Sequence, residues 1–103
     1  MKFIKGAEFA AESAWDALPI ANMQGITTRL HWSDEPYKWH TNDGEEVFVV
    51  LDGVLDMHYR DSQGEYVQRM TVGDIFHAEV GDEHVAHPIG VVRALVVESE
   101  GSV

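Results

Sequence analysis

The chain has 103 residues, 45% of them hydrophobic, and a formal net charge of −11 from 18 acidic and 7 basic residues. This length predicts one small domain, and so acidic a surface argues against nucleic acid as a partner. No apolar run is long enough to span a membrane, the N-terminus lacks the apolar block of a signal peptide, and there is no cysteine for disulfide or thiolate chemistry. We therefore expect a cytoplasmic protein with no membrane partner.

The first predicted element is a short helix within residues 6–18, where Phe9, Trp15 and Leu18 are loosely periodic. It belongs to a predicted N-terminal extension over residues 1–25. Because no linker or repeat interrupts the chain, residues 1–103 are expected to form a single domain.

Short β-branched and aromatic runs separated by turn residues follow from Gly25 onward, a texture typical of strands. The predicted strands are 26–32, 47–51, 54–60, 65–70, 74–80, 84–89 and 91–99. Asp52-Gly53 is a strong signal for a tight hairpin between the second and third of these. Short connections force antiparallel pairing, so the sequence predicts an all-β, antiparallel barrel or sandwich.

Three polar side chains are predicted to converge at the open end of this barrel. With a two-residue period, His40 and Asn42 project to one face, and Glu46 returns to the same side after the turn at "NDG". Imidazole nitrogen and carboxylate oxygen are ligands that suit Fe(II), Mn(II), Ni(II) or Zn(II).

The same segment resembles the first motif of the cupin superfamily, G(X)5HXH(X)3-4E(X)6G, through His40, Asn42, Glu46 and Gly53. Residues 73–88 match the spacing of the second motif, G(X)5PXG(X)2H(X)3N, with His84 at its histidine. The motifs at 34–53 and 73–88 come in the expected order within a likeness covering residues 26–98. This resemblance implies a small single-domain cupin with a double-stranded β-barrel of the jelly-roll type.

Four positions depart from the family pattern. Asp34 replaces a glycine, Glu79 a proline and Pro88 an asparagine, and these changes at turn positions should leave the fold intact. Asn42 replaces the second histidine of the HXH pair, whereas the family's usual metal set is three histidines and one glutamate.

Two interpretations of the remaining set, His40, Glu46 and His84, stay open. In one, the three side chains hold a divalent metal ion and Asn42 supplies a weak amide oxygen or steadies a bound water. In the other, the metal has been lost and the residues serve as hydrogen-bonding groups of a pocket.

The other candidates carry weaker signals. Glu45 is expected to face solvent because it is adjacent to Glu46 on a strand. His31 is expected to be structural, although it lies where it could replace the missing ligand. A pocket role is open for His77, while His58 is expected to be solvated or at an interface and His87 to point away from His84.

The predicted pocket lining follows from strand parity with Glu46. Phe48 and Val50 are expected to face the interior, with Leu55, Met57 and Tyr59 opposite. Tyr59 is a weak candidate for a catalytic donor, because its hydroxyl needs a partner if buried.

Aromatic residues cluster just before His40 and could cover a bound ligand or anchor an interface; they are Trp32, Tyr37 and Trp39. Lys38 is expected to be exposed.

The resemblance implies a metal-dependent enzyme acting on a small molecule, as a dioxygenase, an isomerase or epimerase, or a lyase. The alternative is a non-catalytic cupin that binds a small, sugar-like ligand. The small core predicts a homodimer, and the resemblance implies one as well, because cupins of this size are similar to one another in forming pairs.

Overall fold

The computed structural model describes residues 1–102, and their regular structure is almost entirely strand. The seven strands are β1 (Ala17–Met23), β2 (Ile26–Ser33), β3 (His40–Thr41), β4 (Glu46–Asp61), β5 (Gly64–Met70), β6 (Ile75–Ala78) and β7 (Glu83–Ser99). Every strand pairing described is antiparallel. The predicted all-β, antiparallel architecture is confirmed.

Two long strands, β4 and β7, pair with each other and join two layers. The start of β4 and the end of β7 lie in one layer with β6, β2 and β1. The end of β4 and the start of β7 lie in the other layer with β5 and β3. Each long strand therefore contributes to both walls of the interior.

The hairpin predicted at Asp52-Gly53 is wrong, because residues 46–61 form one strand. The ladder with β7 continues past this point with register shifts, and Gly53 adopts a φ of 84°. A glycine with positive φ suits a β-bulge as well as a hairpin, and a bulge bends the strand without reversing it. Residues 84–89 and 91–99 likewise form one strand, β7, which runs through Gly90 with a φ of 73°.

The N-terminal region differs from its prediction. The helix expected within residues 6–18 is limited to one 3-10 turn, Gly6–Glu8. The second half of the expected extension is β1, whose Leu18 pairs with Leu30 of β2. Weak alternation and Pro19, which lies at a register shift, hid this edge strand. No helix within residues 1–102 has the length and apolar character to cross a membrane.

The core lies between the two layers. Phe48 and Val96 come from one layer and Leu55 and Met57 from the other, and all four are buried. Alternation along each strand sends these apolar side chains inward, and at one end of the core the same inward rows change to polar residues.

Candidate metal centre

The candidate site lies where the two layers open. His40 in β3 and His84 in β7 are paired across the ladder of one layer, and Glu46 is the first residue of β4 in the other layer. One nitrogen or oxygen atom from each of the three side chains lies within 4.8 Å of the other two. Glu46 and His84 are buried and His40 is half-buried. The three residues can therefore hold a metal ion between them, as the sequence predicts, and the identity of the ion stays a prediction.

Asn42 lies between two of these side chains. Its Oδ1 accepts a hydrogen bond from Nε2 of His84 at 2.6 Å, and its Nδ2 donates to Oε1 of Glu46 at 3.3 Å. Nδ2 also donates to the carbonyl oxygen of Gly44 at 3.2 Å, which fixes the orientation of the amide. The asparagine that replaces the expected histidine thus orients both His84 and Glu46.

The protonation of His40 suits a metal ligand. Its Nδ1 lies 3.0 Å from the carbonyl oxygen of Lys38, which can only accept, so Nδ1 carries the proton and Nε2 keeps its lone pair. In histidine ligands, the N–H of the second ring nitrogen usually donates a hydrogen bond in this way. Burial lowers the pKa of His40, which favours the neutral ring that a metal needs.

Glu46 is held as an anion. Burial acts to raise its pKa, but hydrogen bonds from His84 and Asn42 and the charge of His84 outweigh burial and lower the pKa overall. Nε2 of His84 also lies 3.2 Å from Oε1 of Glu46, while its buried Nδ1 has no partner within residues 1–102. A metal ion bound at Nε2 would replace the proton that this nitrogen donates to Asn42 in the metal-free site. The site thus combines a fixed carboxylate with two imidazoles, a donor set that fits a divalent transition metal.

A cavity of about 220 Å³ adjoins the three residues. Of the residues predicted to line it, Phe48 and Met57 do so. Val50, two residues further along the strand than Phe48, is fully buried in the core and does not line the cavity. Tyr59 stacks on Tyr66 and is 38% exposed outside the cavity, so it is not placed to donate a proton there.

His77 is also outside this cavity. Its Nε2 contacts Oε1 of Glu45 at 2.9 Å, and both side chains are largely exposed. His58 and His87 pack against each other, with ring centroids 4.1 Å apart, and do not line the cavity. His31 does line the cavity, but it is not part of the three-residue cluster.

The aromatic residues before His40 separate. Tyr37 lines the cavity and packs edge-on against His40, with centroids 5.3 Å apart. Trp39 stacks on the guanidinium of Arg60 at 4.1 Å, and neither Trp39 nor Trp32 lines the cavity. Of these three aromatic residues, Tyr37 alone lines the cavity.

Among the residues of the cavity wall that sequence reasoning missed are Trp15, Arg29 and Glu98. Trp15 is predicted to be helical, whereas it lies just before β1 with a φ of 66° and lines the cavity. Arg29 shares the parity of His31, and Glu98 ends the inward row of Ala94 and Val96. A polar residue in an inward row was the signal that could have found the last two.

No protein-family model matches the sequence, and no curated protein matches it either. Solved structures do match its fold. A cupin-2 domain protein from Shewanella frigidimarina has 24% identity and a TM-score of 0.78 over 93% of this chain and 89% of that one. A cupin superfamily protein from Desulfitobacterium hafniense has 12% identity and a TM-score of 0.73 over 92% and 86%.

An enzyme is also among the structural neighbours. The hydroquinone 1,2-dioxygenase PnpCD, solved in complex with Fe3+, has 16% identity and a TM-score of 0.73 over 87% of this chain and 29% of that one. At these identities the likeness concerns the fold. It shows that this arrangement of strands is shared with a protein solved with iron.

Proposed function

We propose that this chain, which has the cupin fold, binds one divalent transition metal ion through His40, Glu46 and His84 and acts as an enzyme on a small molecule in the adjacent cavity. The convergence of the three ligand atoms within 4.8 Å at the cavity wall carries the proposal. Fe, Mn, Ni and Zn all suit this donor set.

The burial of the site distinguishes it from a surface ion pair. Glu46 is 6% and His84 3% exposed, so the two side chains are held away from bulk water beside the cavity. A bound metal ion would supply Lewis acidity or a site for small-molecule activation. The protein's own part is to hold His40 in the tautomer with a free Nε2, to keep Glu46 ionised, and to exclude bulk water with Tyr37 and Phe48.

The test is metal uptake by the purified protein. Metal-free protein is dialysed against Fe(II) without oxygen, and separately against Mn(II), Ni(II) and Zn(II), and bound metal is measured by elemental analysis. We expect one ion per chain for at least one metal. His84→Ala and the isosteric Glu46→Gln should abolish this uptake, while His58→Ala, on the outer face, should retain it.

If the protein binds none of the four metals, the proposal is refuted. In that case the alternative, a non-catalytic cupin binding a sugar-like ligand, predicts a saturable rise in melting temperature with a sugar panel. With metal bound, oxygen consumption in the presence of a substrate would favour a dioxygenase, and its absence an isomerase, epimerase or lyase.

The proposal includes a homodimer in the cytoplasm. The small core supports the dimer, and the lack of cysteine supports the cytoplasm.

A further inference from the structure

His40 has fewer hydrogen bonds than the other two candidate ligands. Glu46 and His84 are buried, and Asn42 is bonded to both. His40 is half-buried, and within residues 1–102 the one hydrogen bond of its side chain goes to the carbonyl oxygen of Lys38. The strand that carries it, β3, has only two residues. Other contacts must therefore hold its ring if the ring is to keep one orientation.

Aromatic rings supply these contacts. The ring of Tyr37 packs edge-on against His40, with centroids 5.3 Å apart and planes at 81°. The ring of Trp15 packs edge-on against Tyr37 in turn, with centroids 5.5 Å apart. Both spacings lie in the favourable range for paired aromatic rings. Trp15, Tyr37 and His40 thus form a row of three rings, the aromatic row, which ends at a candidate ligand.

Trp15, at the outer end of the aromatic row, is fixed on several sides. Its backbone N–H donates to the carbonyl oxygen of Trp32 at 2.9 Å, and its Nε1–H donates to that of Glu35 at 2.8 Å. Its own carbonyl oxygen accepts from Nδ1 of His31 at 2.9 Å. The side chain also packs against the core. The row therefore begins at an anchored residue.

Trp15 lies in a turn that would ordinarily carry a smaller residue at its position. The turn, residues 13–16, is closed by a hydrogen bond from the N–H of Asp16 to the carbonyl oxygen of Ser13, and Trp15 at its third position has a φ of 66°. Glycine or asparagine normally supplies a positive φ there. A bulky residue keeps such a backbone only where surrounding contacts enforce it. The turn alone does not account for a tryptophan, whereas its contacts in the cavity wall do.

We infer that Trp15 is a positioning residue for the candidate metal centre and that, acting through Tyr37, it holds the ring of His40 in one orientation. Neither aromatic residue ligates the ion. Their effect is to restrict one ligand before binding, which reduces the entropy lost when the ion binds. The effect on metal affinity rests on the proposed function. The effect on the mobility of His40 does not, because it arises from contacts within the chain.

The first test measures the mobility of the His40 ring in metal-free protein, as its order parameter from carbon-13 relaxation of labelled histidine. Trp15→Ala and Tyr37→Ala should each lower the order parameter from about 0.85 to below about 0.6, values that separate rigid from flexible groups. Trp15→Phe and Tyr37→Phe keep a ring and should retain the natural value. Trp39→Ala is the matched control, because Trp39 adjoins His40 in the chain but stacks on Arg60.

The second test is a double-mutant cycle on metal affinity. The ion is the one that the natural protein takes up among Fe(II), Mn(II), Ni(II) and Zn(II), and affinity is measured by competition with a chelator. Trp15→Ala and Tyr37→Ala should each weaken binding about tenfold. The double variant should bind no more weakly than Tyr37→Ala alone, because Trp15 acts through Tyr37. A general loss of core packing at Trp15 would instead add to the effect of Tyr37→Ala.

Three results would overturn the inference: an unchanged order parameter in Trp15→Ala, an equal loss of order in Trp39→Ala, or additive losses in the cycle. If Trp15→Ala does not fold, Trp15→Leu, which keeps apolar volume but no ring, takes its place. A His40 ring ordered by Trp15 in a protein that binds none of the four metals refutes only the proposed function. Metal uptake with a ring that Trp15→Ala leaves unchanged refutes only this inference.

Discussion

Asn42 is the residue in which this site departs most from the cupin pattern, and its contacts give the departure a physical meaning. A histidine at this position would offer one ring nitrogen to a metal. The asparagine instead accepts from His84 and donates to Glu46, so it connects two candidate ligands. Its value to the site is orientation, because an amide oxygen is a weak ligand for a transition metal.

Substitutions of Asn42 should therefore change metal affinity in opposite directions. Asn42→Ala removes the orienting hydrogen bonds and should weaken binding about 10- to 100-fold. Asn42→His supplies a fourth ligand and should tighten binding about tenfold. Competition with a chelator of known affinity measures both. Weaker binding by both variants would mean that the cavity cannot accommodate the added imidazole.

His31 predicts a pH dependence of stability. Burial lowers its pKa in the folded state below 6.5, despite the backbone hydrogen bond with Trp15 that acts to raise it. As the pH falls through 6.5, the unfolded chain takes up a proton before the folded one does, so the free energy of unfolding decreases.

His31→Gln should make this decrease shallower between about pH 7.5 and 5.5, by no more than about 1.4 kcal/mol per pH unit, the limit for one proton. Urea unfolding of metal-free protein at several pH values measures the slope. His40, whose pKa is also lowered, should retain part of the decrease in the variant. Identical slopes would show that His31 does not contribute.

At the scale of elements, the bulge in β4 places the site. The strand passes from one layer to the other near Gly53, so that Glu46 and Met57 both reach the same cavity. A Cβ atom on Gly53 would overlap the carbonyl oxygen of Val91 in β7. The positive φ and this close approach both require glycine.

Gly53→Ala should lower the free energy of unfolding by about 3 kcal/mol or more, from backbone strain plus the overlap. Gly25→Ala is the matched control, because its φ is also positive, at 88°, and nothing lies within 4 Å of an added Cβ. It should lose only about 1–2 kcal/mol. Equal losses in denaturant unfolding would show that the close approach in β4 is not limiting.

Short-range sequence patterns correctly predicted two residues that line the cavity and the three candidate ligands. Alternation placed Phe48 and Met57 facing the cavity, and motif spacing brought His40, Glu46 and His84 together. Prediction failed at Asp52-Gly53, because this pair of residues is compatible with both a hairpin turn and a β-bulge. The ladder with β7, which depends on distant residues, decides for the bulge. Sequence reasoning also missed Trp15, because the segment before β1 is positioned by tertiary contacts such as the hydrogen bond from Trp15 N to Trp32 O.

The turn containing Glu79 shows why one departure from the motif is tolerated. The backbone N–H of Glu79 donates to Oδ2 of Asp82 at 2.8 Å, a bond that a proline at this position could not make. Gly81 follows with a φ of 92°, and its N–H donates to the carbonyl oxygen of Asn42. The altered turn is thus hydrogen-bonded to the backbone of Asn42 in the candidate site.

In the molecule as a whole, β5 is a largely exposed edge strand. Only Met70 of its seven residues is buried, and Tyr66 and Val67 are exposed on this edge strand. An exposed edge with apolar residues favours pairing with another copy of the chain.

The proposed homodimer predicts a mass twice the monomer's 11.5 kDa in size-exclusion chromatography with light scattering. Tyr66→Glu should shift the distribution towards monomer if β5 forms the interface. A single species at the monomer mass over a range of micromolar concentrations would contradict the dimer.

The net charge of −11 has a consequence for any metal measurement, since carboxylates on the surface also attract divalent ions. X-ray absorption spectroscopy on protein loaded with one equivalent of metal distinguishes the two kinds of site. We expect two imidazole ligands per metal ion, from His40 and His84, with oxygen donors completing the shell. A shell of oxygen donors with no imidazole would contradict it.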